Sequence, residues 1–598
     1  MVAAAAAPAL AQSGAAERVT VTATRTSVPV SQVIADVTVI DRAQLDRATG
    51  RTLVELIAQQ AGVQFSSNGG LGKSSSLFIR GMEARHTLLL VDGVRVGSAT
   101  LGTPSLDNLP LDAVDRIEIV RGPLSALYGS GAVGGVIQIF TRSAGTGLGG
   151  NAGLTLGTHD HAQASAGLSF GDARYNAAVQ VQHVDVKGIS ATNEAVPFGS
   201  YNPDRDGFRQ TAGSLRLGWK PLAGWDVNAM ALQSKGVTGI DDGPAGEARA
   251  ELENRLGSLA VRGTVLPGWN TRLSVAQSVD VYNTLSSASI YTTLGAIQSQ
   301  TRQYGWENTL ETPVGTALLL LERQAETVSR AGAPFTVSDR HIDAVAAGLN
   351  GSSGAHVWQG SLRRDRNSQF GGQSTGALGY GYAVLPALRL GTSVAQSYVA
   401  PSFNQLYYPG FGNPLLLPEE GRHAELNLRW TLGAHVLKVA TFRNRYRGYI
   451  TSGPAPVNLP LAQINGTTVG YEGQWRDVAL SASYDHVDPR NATEGNANNG
   501  KLLQRRAQDA ARLGADWTAG AWAAGATLAA FSHRYDNVAN TTRLGGYATL
   551  DLRTEWTLTR EVKLGLKLNN VGDKRYETAL GYNQPGREAF VTLRYALR

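Results

Sequence analysis

From about residue 146 to the C-terminus, apolar and polar side chains alternate with a period of two. In "AELNLRWTL", Leu426, Leu428, Trp430 and Leu432 share one face, and Glu425, Asn427, Arg429 and Thr431 share the other. "VKLGLKLNN" sets Val562, Leu564, Leu566 and Leu568 against Lys563, Gly565 and Lys567. "YATLDLRTEWTL" sets Ala548, Leu550, Leu552 and Trp556 against Asp551, Arg553 and Glu555. Such alternation predicts strands with one greasy and one charged face. Gly/Asn/Asp/Pro-rich pieces such as "DPRNATEGNANNGK" separate them.

Residues 26–145 read differently. "DRAQLDRATGRTLVELIAQQAG" carries Leu53, Leu56 and Ile57 at helical spacing and stops at Gly62, while "HTLLLVDGV" and "DRIEIVRG" read as short apolar strands. This predicts a mixed α/β domain of ordinary size. Ahead of it, "ERVTVTATR" reads as a strand with no neighbour to pair with.

The chain has 598 residues, 70 of them Gly, and no Cys. Frequent Gly suits many tight turns. The formal charge of +6 is mild for this length and gives no argument for nucleic acid. Residues 2–11 are small and apolar, and Ala9-Leu10-Ala11 ahead of Gln12 matches an export-signal cleavage site. A basic start to that signal is missing, so residues 1–11 are expected to be its remnant. No apolar run is long enough for a membrane-spanning helix.

A soluble sandwich would turn the greasy faces inward. Export and length favour a membrane barrel instead. At roughly 10 residues per strand plus a connection, the region from 146 onward holds about 20 or more strands. Closing them leaves no unpaired edge in lipid. A barrel that wide encloses a lumen, which the N-terminal domain could plug.

Two stretches sharpen this picture. "SSSLFIRGMEARHTLLLVDGVRVG" (75–97) and "LDAVDRIEIVRGPLSALYGSGAVGGVIQIFT" (111–141) closely resemble the plug of TonB-dependent outer-membrane receptors. The likeness extends to the C-terminus. It implies a 22-stranded antiparallel barrel over 146–598, occluded by an α/β plug over 26–145. It also implies active import, driven from an inner-membrane TonB complex, and no catalysis. We expect a monomer embedded in outer-membrane lipid.

The resemblance assigns roles. Residues 17–23 (Glu17, Arg18, Val19, Thr20, Val21, Thr22 and Ala23) look like the TonB box, a strand captured by β-augmentation. In the family an Arg/Glu cluster holds plug to barrel. Buried Arg needs a carboxylate, and the alternation turns Glu425 and Glu472 inward, so Arg80 and Arg121 are expected to pair with them. "VAPSFNQLYYPGFGNPLLLPEE" (399–420), "NGGLGKSSSLFIRG" and "ALGYNQPGREAFVTLRY" are similar to the cobalamin receptors of the family. No His falls in 399–420, which argues against haem. Corrinoid is therefore the expected cargo, with a ferric siderophore as the alternative. Ser66, Ser67, Asn68 and Ser74 of the apex loop, with Tyr407 and Tyr408, are candidate ligand contacts. "YNPDRDGF" and "GIDDG" bring Asp204, Asp206, Asp241 and Asp242, which resemble a calcium-binding pair of hairpins in cobalamin receptors. The alternative for them is ordinary Asp-rich turns.

Other classes fit less well. No Ser-His-Asp spacing suggests an enzyme, and "HDH" (159–161) is isolated. A passive porin has no use for a plug. Family barrels usually end in Phe or Trp, whereas this chain ends "RYALR", with Tyr595 its last aromatic.

Overall fold

The computed structural model describes residues 20–21, 25, 28–29, 33–103, 105–244, 246–287, 289, 292–451 and 455–597. Twenty-two antiparallel strands close a barrel, from Gly147–Gly157 to Glu588–Leu597. The first and last strands pair directly, Leu154 facing Leu593. No helix is long and apolar enough to cross a membrane.

The alternation sorts side chains as the sequence predicts. Leu426 is 60% exposed on the outer wall, and its neighbour Glu425 is 7% exposed inside. Leu550 and Leu552 face out, and Asp551 between them is buried. Connections at one end are all two- to four-residue turns, and most of those at the other are long loops, with three-residue turns at 158–160 and 368–370. Short turns mark the periplasmic end and long loops the extracellular end.

Inside sits the plug. Its sheet runs in the order Asp36–Ile40, Val114–Arg121, Gly135–Thr141, Thr87–Val91, Val94–Arg95. Thr87–Val91 lies parallel to Gly135–Thr141, and the other pairings are antiparallel. A separate hairpin, Val63–Ser67 with Ser75–Ile79, lifts the apex loop toward the extracellular side. Ile40, Ile57, Ile79, Ile117 and Ile137 form the core, which continues into Met230, Leu232 and Leu256 of the wall. Apolar burial against the wall seats the plug.

The helical stretch is two short helices, Arg42–Asp46 and Leu53–Ala58. Capping boxes start both, Asp41 with Gln44 and Thr52 with Glu55. Gly50 separates them at φ +71, and a Cβ there would stand 2.2 Å from the Phe590 ring. The chain turns at Gly50 because only Gly allows this approach to the wall.

Candidate functional site

The plug is tied to the barrel by buried ion pairs. Arg80 ends the apex hairpin at φ +52 and is 3% exposed. Its guanidinium grips Glu425 with both terminal nitrogens, at 2.5 and 3.2 Å. That bidentate geometry is the strong form of the pair. Asp36 lies 3.5 Å from Arg80 and 3.4 Å from Arg121, so it bridges the two cations. Arg121 also donates to Thr38 Oγ1 at 2.9 Å. Burial works against a charged Asp36, but Arg121 and Arg80 outweigh it and hold its carboxyl below the usual range.

Glu472 is not part of this cluster. It faces inward, but near the periplasmic mouth, where its side chain is 62% exposed and pairs with Lys438 at 3.1 Å. The expected pairing of Arg80 and Arg121 with Glu425 and Glu472 therefore holds for Arg80 and Glu425 alone. Arg121 is served by Asp36, from the plug's own first sheet strand.

Further ties reinforce the seat. Asp485 of the wall accepts from Gly62 N–H at 2.8 Å and pairs with Arg512 at 2.6 Å. On the extracellular side, Arg85 and His86 meet Glu419 at 2.6 and 2.5 Å. Next to them Arg506 pairs with Glu83 at 2.5 Å, and Tyr449 donates to Glu83 at 2.8 Å. Sequence reading missed this second cluster; "MEARH", dense in charge amid an apolar domain, is the signal that would have found it.

At the apex, Asp204, Asp206 and Asp241 bring carboxylate oxygens within 4.8 Å of one another. Asp206 accepts from Ala191 N–H at 2.7 Å and Asp241 from Thr192 N–H at 3.1 Å. Asp204 Oδ1 and Asp241 Oδ1 are buried without a hydrogen-bond partner. Burial, with Asp206 and Asp204 nearby, pushes the Asp241 carboxyl up to about 6. Asp242 stands apart, accepting from Thr292 Oγ1 at 2.6 Å and from Ser287.

Lys73, absent from the sequence-derived candidates, joins the apex loop to these hairpins. It is 4% exposed, and its ammonium donates to Thr238 Oγ1 at 2.8 Å and to the Asp206 carbonyl at 3.0 Å. Burial pulls its pKa down to about 8, against Asp206 and Asp241, which favour the cation.

Comparison with known proteins bears on this arrangement. The family model described as TonB-dependent Receptor Plug Domain matches residues 29–136. The one described as TonB dependent receptor-like, beta-barrel matches residues 141–571. The chain belongs to the TonB-dependent receptor family. It is a receptor of the bacterial outer membrane, in a family of transporters that couple import to TonB. A protein named vitamin B12 transporter BtuB, from Photobacterium profundum, is 29% identical over 96% of this chain and 95% of its own. Its namesake from Vibrio vulnificus is 28% identical over 97% and 95%. Among solved structures, the ferric enterobactin receptor PfeA of Pseudomonas aeruginosa superposes with TM-score 0.82 at 19% identity, over 95% of this chain and 100% of PfeA. The siderophore receptor PirA of Acinetobacter baumannii gives 0.82 at 16%, over 94% and 98%. At such identities these two likenesses show the fold alone.

In this receptor the expected box is described at two positions. Thr20–Val21 pairs antiparallel with Val28–Pro29, so the strand is not alone. Glu17, Arg18, Val19, Thr22 and Ala23, like the signal remnant of residues 1–11, lie outside the described residues. Just beyond the box, Arg25 reaches the barrel wall, 3.4 Å from Glu322 and 3.6 Å from Glu307. Its Nε donates to the Leu127 carbonyl at 3.0 Å, and its guanidinium lies 4.4 Å from the Tyr128 ring centre.

The apex hydroxyls divide. Ser66 and Ser67 are buried and bonded to Thr578, with Ser66 Oγ donating to its carbonyl at 3.0 Å. They hold plug to loop and do not face the vestibule. Asn68 is half-buried and Ser74 exposed. Tyr407 packs on Phe403, and Tyr408 lies beneath Arg330 at 4.8 Å. That loop is stitched to the plug, since Asn404 N–H donates to the Thr100 carbonyl at 2.9 Å. Leu101 beside it is 55% exposed. "HDH" occupies a strand-end turn, with His161 packed edge-on against Phe590.

Proposed function

We propose that this receptor imports cobalamin or a related corrinoid across the outer membrane. The observation that carries the reading is the near-full-length likeness to two vitamin B12 transporters. Ligand meets the apex loop at Asn68 and Ser74, the exposed Leu101 and the loop around Tyr407 and Tyr408. Because that loop and the apex share backbone bonds with the plug, a ligand that prefers one plug state shifts the other end. Residues 17–23 serve as the TonB box: released from Val28–Pro29, Thr20–Val21 offers main-chain groups for strand addition by TonB. The receptor works as a monomer without catalysis, and residues 1–11 belong to its export signal.

The acidic hairpins fit calcium. Hard oxygens suit that ion, and the unpartnered Asp204 and Asp241 oxygens lack the positive charge that would satisfy them. Asp204, Asp206 and Asp241 would hold it; Asp242 is engaged elsewhere. Bound calcium would supply charge that joins the two hairpins. Lys73 then ties the joined hairpins to the plug apex.

Equilibrium binding of cyanocobalamin to the purified receptor tests both statements. Tight binding that weakens in chelator is expected. Binding indifferent to chelator removes the calcium site and keeps the corrinoid. Absence of binding in either buffer, with binding of a ferric siderophore, replaces the corrinoid assignment.

A further inference from the structure

Around much of the barrel's extracellular rim, outward-facing charges meet opposite charges across the strands. Arg209 lies 2.8 Å from Asp185, Lys235 2.8 Å from Glu251, and Arg323 3.5 Å from Asp343. The pair of strands Glu419–Leu432 and His435–Arg447 departs from this rule. Arg443, Arg445 and Arg447 follow one another on the outer face and are exposed, while Phe442, Asn444 and Tyr446 between them are buried. Arg422 stands directly opposite Arg445. The other neighbour of Arg445 is Gln463, and the other neighbour of Arg422 is Gln396. Glu420, facing Arg447, is the carboxylate on this stretch of wall. Among the described residues, no ion pair within 4 Å forms at any of the four arginines.

Like charges directly opposite each other destabilise a sheet. Arg422 and Arg445 are such a pair, Arg443 faces Ala424, and Arg447 alone faces a carboxylate, so the chain supplies little anion for the four guanidinium groups. Their height says where it comes from. Arg422 lies eight residues above the outward Trp430 on the same strand. At about 3.3 Å per residue and a tilt of about 40°, that is roughly 20 Å, near the top of an apolar band about 25 Å tall. Leu426 and Val394, 60% and 53% exposed, stand just beneath. The patch thus has basic side chains at head-group level and apolar ones at acyl-chain level, on a wall that faces lipid rather than solvent.

We propose that this patch binds the phosphorylated head group of an acylated lipid of the outer leaflet. Guanidinium groups match phosphate oxygens in pairs, and the leucine and valine below receive the acyl chains. A soluble acidic protein would have to reach past the loops into the lipid to make the same contacts.

Native mass spectrometry of the receptor in nonionic detergent tests this. The probes are bisphosphorylated lipid A, its dephosphorylated form, and inorganic phosphate as competitor. The phosphorylated lipid is expected to bind, and the dephosphorylated one about tenfold or more weakly. Arg422→Gln with Arg445→Gln should weaken lipid A by about tenfold or more, because each surface arginine adds to the attraction for an anionic head group. Lys235→Gln, whose cation is already matched, should leave it unchanged. Heat-modifiable mobility on a gel verifies that each variant is folded. The comparison of the two lipids on the wild-type receptor needs no variant. Equal binding of both lipids, or full binding by the double variant, overturns the proposal. Displacement of lipid A by inorganic phosphate at comparable concentration would make this a bare anion site. Patch-dependent binding of poly-glutamate in place of lipid would assign it to an acidic protein. Either result overturns the lipid.

Discussion

Glu425 and Glu472 both point into the lumen, yet only one holds the plug. Glu425 is 7% exposed against Arg80, whereas Glu472 is 62% exposed beside Lys438. Removing one partner of a buried pair strands the other charge, which costs about 3–5 kcal/mol, while an exposed pair is worth about 1 kcal/mol or less. Glu425→Ala should therefore lower the urea midpoint of plug unfolding strongly, and Glu472→Ala should barely move it. The chain has no Cys, so a fluorophore on Asn68→Cys would report the plug alone. Glu83 adds a pH dependence. Burial disfavours its charge, but Arg506 and Arg85 outweigh this and lower its pKa from 4.5 to about 2. A folded pKa below the unfolded one means the stabilisation is complete above about 4.5 and is lost as pH falls through about 2. The same urea midpoint should drop between pH 5 and pH 2.5, and less so in Glu83→Gln.

At the scale of elements, the N-terminal hairpin is the weakest piece. Thr20–Val21 and Val28–Pro29 share only a two-residue register. A lone two-stranded ribbon is marginal in water, so its position depends on its anchor. Arg25 supplies one, with Glu322, Glu307, the Leu127 carbonyl and the Tyr128 ring around it. Arg25→Ala should free the segment. A spin label at Val21→Cys should then show a severalfold larger mobile population, without any change in the barrel's heat-modifiable mobility. An unchanged spectrum would place the restraint elsewhere. The apex loop is the opposite case, fastened by Lys73, Ser66 and Ser67 to loops from both ends of the barrel sequence.

Over the whole molecule, the tryptophans are one-sided. All ten lie toward the periplasmic ends of barrel strands: Trp225, Trp269 and Trp522 begin strands, and Trp475 ends one. Trp219, Trp358, Trp430, Trp517 and Trp556 lie one to three residues from those ends, and Trp306 lies six residues from the end of its strand. An indole prefers the boundary between lipid and water, so this girdle marks the periplasmic interface. The extracellular rim carries charged rows instead. In vesicles, lipids brominated near the head group should quench tryptophan fluorescence more than lipids brominated near the bilayer centre. The reverse order would contradict this placement.

Much of this was legible because it is local. A period of two is a property of the strand itself, so the outward Leu426 and the inward Glu425 follow from sequence, as does the mixed α/β reading of residues 26–145. The motif around Phe78-Ile79-Arg80-Gly81 pointed to the plug and to Arg80. Inward direction, however, says nothing of depth. Glu472 has the right face and lies at the wet mouth; Asp36 belongs to no motif and bridges Arg80 and Arg121. Ser66 and Ser67 look free in sequence, and their partner Thr578 lies more than 500 residues away. Gly50 looks like a break in a helix, and its cause is the Phe590 ring from the last strand. The sequence by itself determined which residues face lipid and which face the lumen, because alternation is set by the chain's own geometry. Only the tertiary structure decided which inward residues meet, because barrel closure and the seat of the plug set distances between segments far apart in the chain.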